Sequence, residues 1–349
     1  MARRYGYKEV LPCTAMVAVE CSNVVINILF KAASLKGLSY YVFIAYSHVL
    51  GTLVCLPLIF LFNRQTALPP LKFPLISRIC LLAILGYSGT ICSYRGIELG
   101  SPTLASAISN LIPAFTFLLA VFFRMEKVAF RSPSTQAKII GTIISISGAL
   151  VIVFYKGPKI ISSVLLQWPL GSSQSNWIVG GLLEAVAYLL YSFWYIIQSQ
   201  VMKIYPEEIV VIFFCNLSVT LISLPVGLLA EPNLSSWRLT TSIADVAVLY
   251  SGLFGSSFGN VVHIWGVRLK GPVFVVLFKP TSIVIADVMS AIFLGEKVYL
   301  GSAIGAVIIT AGLYAALWGK AKEQEMTDDD SGLSTLGPLS RGTVPLLQS

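Results

Sequence analysis

Four charged side chains, Glu20, Glu184, Lys279 and Asp287, fall inside stretches of chain that are otherwise apolar. A charge at the centre of a membrane-spanning helix costs about 2.5 to 3.5 kcal/mol on insertion scales, so such residues face a cavity or a partner and mark a path for solutes or ions. Spacing supports that reading. At about 100° per residue, Glu20, Asn23, Asn27 and Lys31 share one stripe of a helix. Glu184, Tyr188, Tyr191, Tyr195 and Gln198 share one stripe of another. Each stripe starts with an acid and continues with hydrogen-bonding groups, as opposite walls of one aqueous pathway would.

Lys279 precedes Pro280, and Asn110 stands three residues before Pro113. A proline frees a carbonyl one turn back, which the hydrocarbon tolerates only where a polar cavity satisfies it. Lys279 and Asn110 are therefore candidate binding residues, with Glu20, Asn23, Asn27, Glu184, Tyr188 and Tyr191. His48, Asn216, Asn260 and His263 form a second rank, since each serves equally well as a helix-to-helix hydrogen bond. The chemistry is that of binding. A zwitterion could place its carboxylate on Lys279 and its ammonium on Glu20 or Glu184; alternatively Lys279 only balances Asp287 or a glutamate. Glu20, Glu184 or Asp287 could relay a proton, or the glutamates could be neutral acids hydrogen-bonded to a neighbouring helix. No nucleophile elbow, H-E-x-x-H or Walker loop is present, so neither hydrolysis nor an ATP-driven pump is expected. No cofactor or metal is expected either: six cysteines lie in apolar segments without a C-x-x-C pair, and two histidines are too few for a cluster.

The elements that must hold these residues follow from composition. The chain has 349 residues, of which 56% are hydrophobic and 11% charged, with mean hydropathy +0.81; a soluble domain carries about 25% charged residues. Apolar stretches long enough to span a bilayer fall at 11–30, 41–62, 77–94, 102–123, 138–155, 177–199, 208–229, 243–265, 272–294 and 299–318. The first span carries Glu20, Asn23 and Asn27 and reads as a retained helix, not a cleaved leader. The net charge of +8 lacks the basic run with interleaved aromatics that nucleic acid requires. Its role is orientation. With a cytoplasmic N-terminus, fifteen Lys and Arg fall on the cytoplasmic side and seven on the other, so both termini are expected in the cytosol. The sequon Asn233-Leu234-Ser235 then lies outside, whereas Asn216-Leu217-Ser218 is buried in a span. The tail, rich in Ser, Gly and Asp, is expected to be disordered.

The chain also repeats itself. Gly96, Pro102, Glu126 and Lys127 recur at Gly266, Pro272, Glu296 and Lys297, an offset of 170. Gly141 and Gly148 recur at Gly305 and Gly312, and Glu20 at Glu184, an offset of 164; His48 and Pro57 correspond to Asn216 and Pro225 at 168. Five spans per copy is an odd number, so the second copy enters the membrane inverted, the architecture in which a central site opens to either side alternately.

The residues that carry the repeat also carry a resemblance. The stretch Gly96 to Lys127, with Asn110-Leu-Ile-Pro113, and the stretch Phe274 to Gly312, with Phe278-Lys-Pro280 and Phe293-Leu-Gly-Glu-Lys297, resemble the two EamA units of the drug/metabolite transporter superfamily. Through Phe30-Lys-Ala-Ala-Ser-Leu-Lys-Gly37 the chain is similar to the plant nodulin-like branch, the "usually multiple acids move in and out" transporters. The resemblance implies export or bidirectional passage of amino acids, or of auxin in some members, and favours the plasma membrane over the vacuolar one.

The expectation is thus an all-α membrane protein of ten transmembrane helices in two inverted five-helix EamA repeats. Its divisions are a cytoplasmic N-terminus 1–10, a first repeat 11–155, an extracytoplasmic loop 156–176, a second repeat 177–318 and a cytoplasmic tail 319–349. Its expected activity is secondary transport of amino acids or related small organic acids by alternating access, as a facilitator or with protons as the partner ion. A carrier of auxin or another amphipathic metabolite is the alternative, and a channel or receptor ranks below both.

Overall fold

The computed structural model describes residues 2–62, 73–109, 111–125, 132–155, 158–161, 174–205, 207–239, 241–276, 278–279, 281–293, 298–301 and most positions from 304 to 322. The expected Glu126-Lys127 and Glu296-Lys297 helix ends and the polar tail after 322 lie outside the described residues. The first repeat comprises α1 (Ala2–Ser34), α2 (Tyr40–Phe62), α3 (Phe73–Leu99), the pair α4 (Pro102–Ile108) and α5 (Leu111–Phe122), and α6 (Pro133–Phe154). The second comprises α7 (Gln174–Ile204), α8 (Glu208–Ala230), α9 (Ser242–Tyr250) and α10 (Asn260–Lys270) joined by a π-helical segment Ser251–Gly259, then α11 (Pro272–Val276), α12 (Thr281–Phe293) and helical positions from 300 to 322. Seven described spans are long and apolar enough to cross a membrane, counting α4 with α5 and α11 with α12 as one each. Large apolar side chains such as Leu118, Phe122, Leu182 and Val307 point outward, as a protein solvated by lipid requires.

The repeats pack about a pseudo-two-fold axis. It passes between α2 and α8, where residues equivalent in the two copies touch each other: His48 Nδ1 lies 3.1 Å from Asn216 Oδ1, and Thr52 Oγ1 lies 3.4 Å from Thr220 Oγ1. The two helices run antiparallel, since Tyr41 near the start of α2 approaches Gly227 near the end of α8. Cys55, towards the end of α2, clusters with Val210, Val211 and Cys215 at the start of α8. Equivalent helices pointing in opposite directions are the inverted relation. The same exchange governs the rest: α3 packs on α7 as the α9–α10 helix packs on α1, and α12 packs on α4 as α5 packs on α11.

Two of the expected single spans are broken, at equivalent places. Between α4 and α5 the chain makes a tighter turn, with Ile112 N donating to Ser109 O at 3.0 Å; between α11 and α12, Lys279 N donates to Val276 O at 3.1 Å and Ser282 N to Lys279 O at 3.0 Å. The cause lies in Pro113 and Pro280, which offer no N–H to continue the ladder. Hydroxyls take up the carbonyls so exposed: Thr281 Oγ1 donates to Phe278 O and Ser282 Oγ to Lys279 O, each at 2.7 Å, and Ser109 Oγ to Ser106 O at 2.6 Å. Each half-helix pair begins at a Pro in its first turn, with Ser101 capping α4 and Gly271 turning at φ 84° before α11. A two-strand ladder, β1 (Lys159–Ile161) with β2 (Val298–Tyr299), is an addition to the all-helical expectation, tying the inter-repeat connection to the chain before the last helix.

On the far side from the site, α6 lies against the last helix with backbones almost touching. A Cβ on Gly141 would lie 2.5 Å from Gly312 O and 2.6 Å from Ala316 N; one on Gly312 would lie 2.6 Å from Ser145 N. Small residues at such a seam permit the close packing that drives helix association in lipid. Gly141→Leu should therefore separate this seam, lowering the thermal midpoint of the detergent-purified protein by the equivalent of about 1–3 kcal/mol. Leu118→Ala on the lipid-facing surface should leave that midpoint unchanged.

Candidate functional site

The two repeats enclose a cavity of about 240 Å³. That volume lies below the range of about 300–1,000 Å³ typical of drug-sized ligand pockets and suits a small solute. Three kinds of wall meet in it.

The first wall is charged. Glu20 on α1 and Lys279 at the break before α12 pair through Oε1 and Nζ at 2.8 Å, and His263 Nε2 on α10 lies 3.5 Å from the same Glu20 oxygen. Glu20 is 1% exposed, so its charge is compensated by protein and not by bulk water. Tyr195 closes this corner with its ring edge-on to His263, centroids 6.0 Å apart. Asn23 and Asn27, one and two turns along α1 from Glu20, also border the cavity.

The second wall is amide and hydroxyl. Asn216 holds His48 through its carbonyl oxygen and donates from Nδ2 to Ser256 O at 2.7 Å. Asn260 Nδ2 reaches the same Ser256 carbonyl at 3.4 Å. Ser256 belongs to the π-helical segment, whose wider turn leaves carbonyls without their usual partner. The third wall is aromatic: Tyr188, Tyr191, Trp194 and Tyr195 along α7. Tyr188 donates its hydroxyl to Ala105 O at 2.8 Å, and Tyr191 lies 3.1 Å from the Thr90 hydroxyl.

The structure thus brings Glu20, Asn23, Asn27, His48, Tyr188, Tyr191, Asn216, Asn260, His263 and Lys279 around one space. Glu184 is placed differently. Its side chain is fully buried between α7 and α3 with Oε2 accepting from Ser93 Oγ at 3.0 Å. A Cβ on Gly96 would lie only 2.8 Å from Glu184 Oε1, so α3 closes over the acid because that position has no side chain. Ser93 and Tyr188 border the cavity; Glu184 lies behind them. Lys31, on the Glu20 stripe, leaves the cavity too: its ammonium donates to the carbonyls of Ile97, Glu98 and Gly100 at 3.0, 2.8 and 2.9 Å, at the C-terminal end of α3 where a cation is favoured. Gln198 is buried and outside the cavity lining. Asn110 lies outside the described residues, and of Asp287 only its place in α12 is described.

Ser93, Thr90, Ser256 and Trp194 border the cavity without having been singled out in the sequence. Ser93 had a signal: it stands 170 residues before His263, the offset of the adjoining Gly96–Gly266 pair. Among the described residues no group of three His, Cys, Asp or Glu could hold a metal ion. The six cysteines are free thiols.

Comparison with known proteins agrees with this architecture. The EamA-like transporter family model matches twice, at residues 14–154 and 178–318. WAT1-related protein At5g40240 of Arabidopsis thaliana is 54% identical over 332 residues, covering 93% of this chain and 90% of the relative. WAT1-related protein At4g15540 of the same organism is 53% identical over 336 residues, covering 96% of each. A solved crystal structure superposes with a TM-score of 0.61 over 86% of this chain and 98% of its own, at 18% identity, which bears on the fold alone. With two EamA units and full-length relatives at this identity, the chain belongs to the EamA-like transporter family, a family of multi-pass membrane transporters and not of enzymes.

Proposed function

We propose that this protein is a secondary carrier of amino acids or related small organic acids, working by alternating access. The observation that carries the proposal is the Glu20–Lys279 pair at the cavity wall, 2.8 Å apart, with Glu20 buried and Lys279 largely so. A zwitterion carries the same two charges. Its carboxylate replaces Glu20 on Lys279 and its ammonium replaces Lys279 on Glu20, so neither protein charge is left bare in a medium where that is costly. Asn23, Asn27 and His263 complete the ring of donors and acceptors, and the tyrosines give the side chain of the solute an apolar surface. Lys279 sits at the break of one half-helix pair, where the backbone of α12 can tilt without losing ladder hydrogen bonds that Thr281 and Ser282 already replace.

A second reading rests on the aromatic wall. Tyr188, Tyr191, Trp194 and Tyr195 offer rings to a flat amphipathic acid such as auxin, whose carboxylate would still require Lys279. In both readings the termini lie in the cytosol, the repeats extend over 11–155 and 177–318, and the protein resides in the plasma membrane.

A solute panel in proteoliposomes tests the function: saturable counterflow of a labelled amino acid is expected, and linear uptake without counterflow would mean a channel. In the same assay Glu20→Gln and Lys279→Ala should each lower counterflow by about tenfold or more. Lys279→Ala also strands a buried carboxylate and should cost about 3–5 kcal/mol of stability. The double variant Glu20→Gln/Lys279→Gln removes both charges and should recover the stability without recovering transport. Wild-type transport by all three would refute the site. For the orientation, Asn233 is exposed at the head of the short 3-10 helix Leu234–Trp237. Expression in a glycosylating host should give a glycosidase-sensitive mobility shift, abolished by Asn233→Gln and unaffected by Asn216, which is 2% exposed.

A further inference from the structure

The two repeats place an acid at the same point of the fold and surround it differently. Glu20 corresponds to Glu184, and His263 and Lys279, the partners of Glu20, stand at an offset of 170 from Ser93 and Ser109. The geometry follows the correspondence across the axis: Glu20 of the first copy meets His263 of the second, and Glu184 of the second meets Ser93 of the first. Where one acid has a lysine and a histidine, the described partner of its counterpart is Ser93, and Ser109 donates instead to Ser106 O.

That difference decides what each carboxyl can do. Glu20 is neutralised by an ammonium 2.8 Å away. Among the described residues Glu184 has no such neighbour. The titratable groups facing it are Cys92 and Tyr94 from α3 and Tyr188 and Tyr191 from its own helix. The described residues of α4, α5 and α11 carry no ionisable side chain. On α10, His263 is turned to Glu20, Arg268 to Glu208 and Lys270 to the ring of Phe274. A buried carboxylate without a cation is costly in this setting, whereas a carboxylic acid is an ordinary hydrogen-bonding group.

The hydrogen-bond inventory asks for the acid form. Glu184 Oε2 accepts from Ser93, while Oε1 is buried without a hydrogen bond among the described residues. The Tyr188 hydroxyl lies beside Glu184 and 2.8 Å from Ala105 O; with its one proton on that carbonyl, its oxygen is left as an acceptor towards Glu184. A proton on Oε1 would supply the missing donor. A metal ion would not fit, because the approach of Gly96 leaves no room for the six or so oxygen ligands a hard cation gathers.

We propose that Glu184 is a proton-binding site separate from the solute site, and that protonation and deprotonation there, passed to the cavity through Ser93 and Tyr188, couple solute movement to a proton gradient. The proposal rests on the transport reading above and adds its coupling ion. Proton uptake converts the carboxylate to the acid, the Oε1–H bond forming as the proton leaves the cavity water, and release reverses it with no other reactant.

Two measurements on the full-length protein test it, and the first needs no solute. Infrared difference spectra between acid and alkaline pH should contain a protonated-carboxyl band that shifts in D₂O, disappears in Glu184→Gln and persists in Glu20→Gln. Absence of that band, or its survival in Glu184→Gln, overturns the proposal whatever the protein transports. In proteoliposomes, Glu184→Gln should keep amino-acid counterflow, which requires no net proton movement, and lose accumulation driven by a pH gradient by about tenfold or more. Glu184→Asp should recover part of that accumulation. Retained gradient-driven accumulation in Glu184→Gln, or a wild type that shows counterflow but no response to the gradient, refutes coupling while the carrier reading stands. Loss of counterflow in Glu184→Gln together with accumulation makes Glu184 part of the solute path and equally refutes the proposal. Wild-type protein without counterflow for any amino acid refutes the carrier reading, and the infrared band then decides the proton site by itself.

Discussion

An ammonium and a carboxylate set into a hydrocarbon-thick protein have few stable arrangements, and the Glu20–Lys279 contact is one from which much else follows. It joins α1 of one repeat to the broken helix pair of the other, so the copies cannot separate without uncovering charge. It also fixes the location of polar surface: the backbone break that presents Lys279, the amides of α1 and the histidine of α10 all converge on it. Main-chain carbonyls released by the break find hydroxyls three residues along. Irregular backbone at this depth is tolerable because it faces a cavity and not lipid.

The inverted relation between the copies adds a second constraint. Since equivalent residues exchange places across the axis, any residue close to it meets its own counterpart, as His48 meets Asn216 and Thr52 meets Thr220. Residues away from the axis occur as pairs of sites, and such sites are free to diverge. The Glu20 corner has a lysine and a histidine; the Glu184 corner has Ser93 and a glycine that lets the neighbouring helix close over the acid. The fold thereby offers two kinds of buried carboxyl at equivalent positions.

Much of this was legible in the residue order. Charges inside apolar runs identified Glu20 and Lys279, since each requires a partner that only the protein can provide. The offsets of 164, 168 and 170 identified the repeat and with it the pairing at the axis. What periodicity could not convey was depth and partner. Lys31 lies on the correct face of α1, yet its long side chain reaches three carbonyls at the end of α3, because an end-of-helix cluster of acceptors is invisible in the residues that supply it. Glu184 shares the tyrosine stripe, but the missing side chain of Gly96, on a different helix, decides that it is covered. The serines at the cavity went unmarked because serine is common in membrane helices, and their meaning comes from what lies opposite.

The π-helical segment has a consequence for the balance between the two sides of the membrane. The third helix of the first copy places Gly86 and Gly89 three residues apart, whereas the matching stretch of the second copy places Gly255 and Gly259 four apart. The surplus residue is absorbed within the segment Ser251–Gly259, where hydrogen bonds skip one residue further than in an α-helix. Two perfect inverted copies would make the inward-open and outward-open forms images of each other and therefore equal in energy. The inserted residue is a backbone difference between the copies, so under the alternating-access reading proposed above it is one of the features that would set the two forms apart in energy.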